Sequence, residues 1–299
     1  MDIKGIIVPI ITPMKEDESV NIPELRRQIE RQIEGGVHGI FCFGTNGEGY
    51  ILSTKEKEEV LEATVDQVAG RVPVYAGTGC VSTAETSYLS VRAQELGADA
   101  LSIVTPYYAA ASQKELYDHY AEVAAHVDIP IILYNIPPRT GNKLLPETVA
   151  KLARDVDVIM GAKDSSGDIE NLKAYIRETR DIGKPFSVLA GNDGAILTAL
   201  REGGKGGIAG RANIWPKSIA AIYDSFVSGD LATAEKLQND ISALQRVFKF
   251  GNPNTIIKKA VALLGYPVGD CRRPFSYLCP EGVEALQAVL EENRLKGLE

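Results

Sequence analysis

The stretch Val158-Ile-Met-Gly-Ala-Lys-Asp164 contains in one place the pattern from which the fold of this chain can be predicted. A short apolar run ends in two charged residues, and a helical pattern follows from about Ile169 to Thr179. A strand that is apolar throughout is typical of a parallel sheet that is covered on both faces. The amphipathic pattern after it indicates a strand–helix unit.

The same unit recurs along most of the chain. Further apolar runs, each followed by a helical pattern, begin at Gly5, Gly39, Val74, Ala100, Pro130, Phe186 and Gly207. Three helix starts, at Ser53, Ser82 and Ser112, have the Ser-x-x-Glu spacing of a capping box. Eight units within residues 1–228 predict an α/β fold, a (β/α)8 TIM barrel. A doubly wound open sheet is the alternative, but no Gly-x-Gly-x-x-Gly lies between the first strand and helix.

Only helical patterns follow the eighth unit. They cover about residues 231–249, 254–264 and 281–296. We therefore divide the chain into a barrel over residues 1–228 and a C-terminal helical segment over residues 229–299. This segment either packs on the barrel or forms a small second domain.

Composition and charge restrict the possible classes of function. A chain of 299 residues with 44% hydrophobic residues can bury a large core, and its net charge of −8 argues against nucleic acid as the main partner. The N-terminus lacks a secretory signal, and no apolar run is long enough to span a membrane. Neither the four cysteines nor the histidines have metal-site spacing. These features predict a soluble cytoplasmic protein that binds no membrane and no metal.

The active site of such a barrel lies at the carboxyl ends of its strands. The candidate site positions there are Thr45, Asn46 and Gly47 after strand two, Tyr108 after strand four, Tyr134 and Arg139 at the end of strand five, Lys163 at the end of strand six, Ile208 on strand eight and Arg211 after it. Because these strand ends converge, we expect the residues to form one site.

The residue types in this set suit imine chemistry with a 2-keto acid. Burial disfavours the charged form of Lys163, which leaves its amine able to attack a carbonyl carbon. Tyr134 can move protons to and from the resulting carbinolamine. Thr45 and the amides of its turn can bind the carboxylate of the keto acid, while Arg139 can hold a second carboxylate or a polar tail.

Each of these residues also has a purely structural explanation. Lys163 can extend from a strand end into water, and Tyr134 can cap the core. Gly47 can serve only a tight turn, and Arg139 can lie on the surface or in an interface. Their joint occurrence at strand ends favours the catalytic interpretation.

Ordered motifs along essentially the whole chain resemble those of one enzyme family. They are Pro9-Ile-Ile-Thr-Pro13, Gly44-Thr-Asn-Gly-Glu48, Ala76-Gly-Thr-Gly79, Val104-Thr-Pro-Tyr-Tyr108, Tyr134-Asn-Ile-Pro-Pro-Arg-Thr-Gly141 and Gly161-Ala-Lys-Asp-Ser-Ser-Gly-Asp168. The set is similar to the dihydrodipicolinate synthase and N-acetylneuraminate lyase superfamily of pyruvate-dependent class I lyases. The resemblance implies a (β/α)8 barrel with C-terminal helices, a homotetramer built from tight dimers, and no cofactor beyond a covalent imine at Lys163.

The resemblance also assigns roles to individual residues. Lys163 matches the Schiff-base lysine and Tyr134 the proton-relay tyrosine. Thr45 matches the hydroxyl that links two tyrosines, and Tyr108 matches the tyrosine that a neighbouring subunit inserts into the site. Ile208 matches a position whose backbone carbonyl faces the lysine.

The second substrate depends on which branch of the superfamily the chain resembles. Arg139 resembles the arginine with which the synthase branch binds aspartate 4-semialdehyde. This implies condensation of pyruvate with that aldehyde to 4-hydroxy-tetrahydrodipicolinate, with Asn46 and Gly47 among the substrate-binding residues. Two residues favour an aldolase or dehydratase of 2-keto-3-deoxy sugar acids instead. They are Arg211 and Asn46, and the synthases have a second threonine at the position of Asn46. A non-catalytic keto-acid-binding protein is the remaining alternative.

Regulation by lysine can be predicted from the start of the third helix. Lysine-inhibited synthases have an asparagine and a glutamate there, and this chain has Val81 and Glu85. Valine offers no side-chain hydrogen bonds to a bound amino acid. We therefore expect weak or absent inhibition by lysine.

Overall fold

The strands form the predicted closed barrel in a computed structural model that describes residues 1–298. They are β1 (Gly5–Pro9), β2 (Gly39–Cys42), β3 (Val74–Ala76), β4 (Ala100–Val104), β5 (Ile131–Asn135), β6 (Ile159–Asp164), β7 (Ser187–Ala190) and β8 (Gly206–Ile208). Each strand is parallel to the next, and β8 pairs with β1 to close the barrel. The (β/α)8 prediction is thereby confirmed.

Helices follow the strands and surround the barrel. They are α1 (Ile22–Glu34), α2 (Thr54–Val68), α3 (Thr83–Glu95), α4 (Gln113–Ala124), the short α5 (Pro137–Thr140), α6 (Pro146–Asp155), α7 (Ile169–Thr179), α8 (Ile196–Arg201) and α9 (Pro216–Ser228). The C-terminal helices are α10 (Leu231–Asp240), α11 (Pro253–Leu263) and α12 (Pro280–Leu295). No helix within residues 1–298 is long and apolar enough to cross a lipid bilayer.

Local signals in the sequence account for several helix starts. Ser53 and Ser112 each accept the backbone N–H of the glutamate three residues later, and that glutamate accepts the backbone N–H of the serine. At Ser82 only the first of these two bonds forms, so the prediction of a full capping box was wrong there. Such caps satisfy N–H groups that the first helical turn leaves without partners.

Two apolar layers hold the barrel together. The inner layer fills the barrel and includes Ile7, Phe41, Tyr75, Ile132 and Leu189. The larger outer layer lies between the strands and the helices. Because the inner layer closes the barrel below the strand ends, polar chemistry is restricted to its open mouth.

The C-terminal segment is less regular than its sequence pattern predicted. Helix α10 ends at Asp240, and two short 3-10 turns, Ile241–Arg246 and Phe248–Phe250, replace the rest of the single helix expected over residues 231–249. Gln245 and Phe248 from these turns line a cavity at the mouth of the barrel. Helix α9 ends at Ser228, where the sequence analysis divides the chain. Residues from both sides of this boundary line one cavity, so the division into two domains stays a prediction.

Candidate active site

A cavity of about 430 Å³ lies at the carboxyl ends of the strands, where the sequence predicts the active site. Its wall includes Thr45, Asn46, Tyr134, Arg139, Lys163, Ile208 and Arg211 among the predicted residues. Asp193, which follows β7, and Gln245 and Asn254, which belong to the C-terminal segment, also line this wall. Seven of the predicted residues are therefore brought together in one cavity.

Lys163 occupies the centre of this arrangement. It lies on β6 directly opposite Tyr134 on β5, so the pairing of the two strands sets their side chains on one face. Only 3% of Lys163 is exposed, and its Nζ lies 3.9 Å from the centroid of the Tyr134 ring and 5.5 Å from that of Phe41. The amine is thus held against aromatic surface at the end of a rigid strand.

Tyr134 is linked to the loop after β2 by one hydrogen bond. Its hydroxyl lies 3.2 Å from Thr45 Oγ1. Burial by itself raises the pKa of Tyr134, but the charge of Lys163 and hydrogen bonds with Thr45 and Ser165 outweigh burial, so the pKa lies below its ordinary value. A phenol with this property, next to an amine, is suited to exchanging protons with it.

The loop of residues 44–49 places Thr45 and Asn46 on the cavity wall. Gly47 lies behind that wall, where its carbonyl accepts a 2.7 Å hydrogen bond from Thr12 Oγ1. A Cβ at Gly47 would lie 2.8 Å from the carbonyl oxygen of Ile10, so close packing requires glycine there. Glu48 adopts φ +57°, a left-handed conformation that is uncommon for residues other than glycine.

Helix α11 holds this loop from the outside. Lys258 Nζ lies 2.7 Å from Glu48 Oε1 in an ion pair whose side chains are 1% and 0% exposed. Glu48 Oε2 accepts a 2.8 Å hydrogen bond from the backbone N–H of Arg272. Asn254 Nδ2 donates a 2.7 Å hydrogen bond to the carbonyl oxygen of Thr45. The C-terminal segment therefore contacts the backbone of the residue that binds Tyr134.

The two arginines of the cavity have different surroundings. Arg139 is exposed on α5 at the rim, and its Nη2 lies 3.5 Å from Asn252 Oδ1. Arg211 is buried: its Nη1 donates to the carbonyl of Ile241 at 2.7 Å, and its Nη2 donates to Gln245 Oε1 at 3.0 Å. Arg139 is free to meet an anion at the cavity mouth, whereas Arg211 is tied mainly to the C-terminal segment.

Asp193 faces Arg211 across the wall of the cavity. Its Oδ2 lies 3.5 Å from Arg211 Nε, a nitrogen that makes no hydrogen bond with the described residues. Burial raises the pKa of Asp193, although the charges of Arg211 and Lys163 oppose this rise. Burial also lowers the pKa of Arg211. The two side chains form a polar patch beside the lysine.

Tyr108, like Gly47, is a predicted site residue that does not line the cavity. It is 99% exposed and adopts φ +79° after β4. Its neighbour Tyr107 instead lines a smaller cavity of about 60 Å³ that also touches Thr45 and Tyr134. Within one chain, the structure does not bring Tyr108 to the lysine.

Asp193, Gln245 and Asn254 are among the wall residues that had no assigned role in the sequence prediction. Asp193 was visible as a carboxylate at the end of strand seven, but nothing there indicated its burial. Gln245 and Asn254 lie on elements that follow the barrel in sequence, and no motif marks them. Their contacts with Arg211 and Thr45 arise only when the C-terminal segment packs on the barrel mouth.

A closed (β/α)8 barrel that buries a lysine beside a tyrosine at its open mouth has the architecture of a Schiff-base lyase. Comparison with known proteins gives the particular family. The profile of the dihydrodipicolinate synthetase family matches residues 2–293. The chain belongs to this family, and it is a pyruvate-dependent carbon–carbon lyase.

Individual relatives extend over nearly all of the chain. A 4-hydroxy-tetrahydrodipicolinate synthase from Syntrophus aciditrophicus (strain SB) is 42% identical over 295 residues, which cover 98% of this chain and 99% of the relative. The crystal structure of a dihydrodipicolinate synthase from Thermotoga maritima has a TM-score of 0.95 at 31% identity, and covers 99% of this chain and 100% of that chain. A prophage protein of the dihydrodipicolinic acid synthase family from E. coli K12, in complex with pyruvate, has a TM-score of 0.94 at 31% identity over 98% and 99% of the two chains.

Proposed function

We propose that the chain condenses pyruvate with aspartate 4-semialdehyde to 4-hydroxy-tetrahydrodipicolinate through an imine at Lys163. The observation that carries this proposal is the buried Lys163 amine beside the Tyr134 phenol, with Arg139 at the rim of the same cavity. The names of the relatives support the choice of substrates. No cofactor other than the covalent imine is part of the proposal, and we assign the enzyme to the cytoplasm.

In the first half of the reaction, Lys163 and Tyr134 convert pyruvate into a nucleophile. The neutral Lys163 amine attacks C2 of pyruvate. Tyr134 passes one proton of the amine and one proton from solvent to the former carbonyl oxygen, which leaves as water from a protonated imine. Thr45 and the amides of the turn after β2 bind the pyruvate carboxylate. Tyr134 then removes a proton from C3, which turns the imine into an enamine. The backbone carbonyl of Ile208 faces the lysine during these steps.

In the second half, Arg139 holds the aldehyde. Its guanidinium binds the carboxylate of aspartate 4-semialdehyde, and Asn46 contributes to binding from the loop after β2. C3 of the enamine attacks the aldehyde carbon, whose oxygen takes up a proton and becomes a hydroxyl. The amino group of the adduct then attacks C2, closes the ring and displaces the Lys163 amine, so one water leaves per turnover.

A second copy of the chain completes the proposed site. Tyr108 projects into solvent in a conformation that is uncommon for a tyrosine, and Val81 just before α3 and Tyr88 within α3 are also exposed. We propose that these residues meet a second copy, that Tyr108 enters the partner's site, and that two such dimers form a homotetramer.

Complementation between two inactive variants tests the dimer directly. In a mixed dimer of Lys163→Ala and Tyr108→Phe subunits, one site has both an intact lysine and a Tyr108 from its partner. Co-expression should restore about a quarter of the wild-type activity, because about half of the dimers are mixed and each has one intact site. Absence of recovery in purified mixed dimers would show that Tyr108 does not act across the interface.

A second candidate function rests on the polar patch of Asp193 and Arg211. Together with Asn46, this patch offers hydrogen-bonding groups to a substrate with several hydroxyls, as in a 2-keto-3-deoxy sugar acid.

The decisive assay supplies pyruvate and aspartate 4-semialdehyde with a coupled downstream reductase. We expect turnover that disappears in Lys163→Ala. If pyruvate is still trapped on Lys163 by borohydride without turnover, the substrate is a sugar-derived keto acid.

A further inference from the structure

The carbonyl oxygen of Thr45 accepts two hydrogen bonds. The backbone N–H of Glu48 donates one within the loop at 3.2 Å, and Asn254 Nδ2 donates the other from α11 at 2.7 Å. Asn254 is buried, so water cannot readily replace its amide in this role. The orientation of Thr45 thus depends on a side chain 209 positions away in the sequence.

The loop that carries Thr45 has an uncommon backbone conformation. Glu48 adopts φ +57°, and a Cβ at Gly49 would lie 2.1 Å from the carbonyl oxygen of Phe43. A conformation of this kind persists only when surrounding contacts enforce it. The Glu48–Lys258 ion pair and the Arg272 N–H provide such contacts from the C-terminal segment.

Asn254 and Lys258 act on the loop from the same face of one helix. They are four residues apart on α11, which places their side chains on adjacent turns. Asn254 contacts the residue that binds Tyr134, and Lys258 contacts the residue three positions later. A shift of α11 would therefore move both ends of this short segment together.

We propose that α11 is a part of the catalytic apparatus, in which Asn254 and Lys258 are positioning residues that hold Thr45 in hydrogen-bonding distance of Tyr134. The inference rests on the proposed imine mechanism, because it assigns the proton relay to Tyr134. Neither residue touches the substrate in this proposal. They act by fixing the position of Thr45, and they affect the rate of the steps in which Tyr134 moves a proton.

The test replaces Asn254 by leucine, which has a similar size and no hydrogen-bond donor. The matched control is Asn293→Leu, at a fully buried asparagine of α12 whose side-chain atoms have no partner among the described residues. The assay is the exchange of the C3 protons of pyruvate for deuterium in D2O, followed by NMR. It reports the relay of Tyr134 without requiring the second substrate.

We expect exchange in Asn254→Leu to be about 10- to 100-fold slower than in wild type, because small errors in position strongly impair proton transfer. The final extent of borohydride trapping should stay unchanged. The pH dependence of exchange should shift to higher pH, since the hydrogen bond with Thr45 helps to lower the pKa of Tyr134. Restoring a donor with Asn254→Gln should recover part of the rate, and Asn293→Leu should exchange as wild type does.

Three results would overturn the inference in distinguishable ways. If wild type exchanges and folded Asn254→Leu exchanges at the same rate, α11 has no role in positioning the relay, and the proposed function stands. If wild type neither traps pyruvate nor exchanges its C3 protons, the imine mechanism itself fails, and the positioning role fails with it. A rate loss without the shift in pH dependence would assign Asn254 a purely structural role.

Discussion

Replacing Lys258 by methionine isolates the contribution of the buried ion pair to stability. The substitution keeps an unbranched side chain of similar length but leaves the Glu48 carboxylate without its partner at Oε1. Oε2 keeps its 2.8 Å hydrogen bond from the backbone N–H of Arg272. Because the two side chains are 0% and 1% exposed, water cannot solvate the remaining charge. We expect the free energy of unfolding to fall by about 3–5 kcal/mol, the usual cost of breaking a buried pair from one side.

Urea unfolding measures this loss at a fixed protein concentration. Trp215, which is buried and is the sole tryptophan of the chain, supplies the fluorescence signal. The double variant Glu48→Gln/Lys258→Met removes both charges and keeps an oxygen for the Arg272 N–H. It should recover most of the lost stability, which would appear as a coupling energy in the double-mutant cycle. A loss below about 1 kcal/mol in Lys258→Met, or a double variant no more stable than the single one, would refute the desolvation argument.

The other predictions concern binding, regulation and pH. Arg139→Ala should raise the KM for aspartate 4-semialdehyde about 10- to 100-fold, because it removes charge-assisted hydrogen bonds to a carboxylate, and steady-state kinetics should show little change in the KM for pyruvate. L-Lysine should inhibit weakly or not at all in an inhibition assay, since the exposed Val81 side chain offers no hydrogen bond; inhibition at micromolar lysine would contradict this. A hydrogen bond from Arg272 lowers the pKa of Glu56 to about 2, below its unfolded value. The contribution of Glu56 to stability is therefore full above about pH 4.5 and lost as pH falls towards 2, so the stability difference between wild type and Glu56→Gln should shrink over that range in urea titrations.

The sequence predicts the barrel and the centre of its site because both follow from local patterns. Lys163 and Tyr134 each lie near the end of an apolar run, and neighbouring parallel strands bring such ends together. The position of Arg139 on the rim follows in the same way, since it comes directly after β5.

The outer wall of the site could not be predicted because its contacts are distant in sequence. Asn254 meets Thr45 only after α11 has packed on the barrel, and no spacing rule connects them. Arg211 was recognised as a cation near the rim, but its fixation by Ile241 and Gln245 depends on the 3-10 turns that interrupt the expected helix. The burial of a side chain at a strand end is decided by what covers that end.

The contact between α11 and the loop after β2 also has a consequence for biosynthesis. A ribosome produces Thr45, Tyr134 and Lys163 long before it produces Asn254 and Lys258. A nascent chain can close its barrel while the loop that carries Thr45 still lacks its outer support. If α11 positions the relay as proposed, a chain whose last quarter has not yet left the ribosome and folded moves the protons of bound pyruvate far more slowly than the complete enzyme.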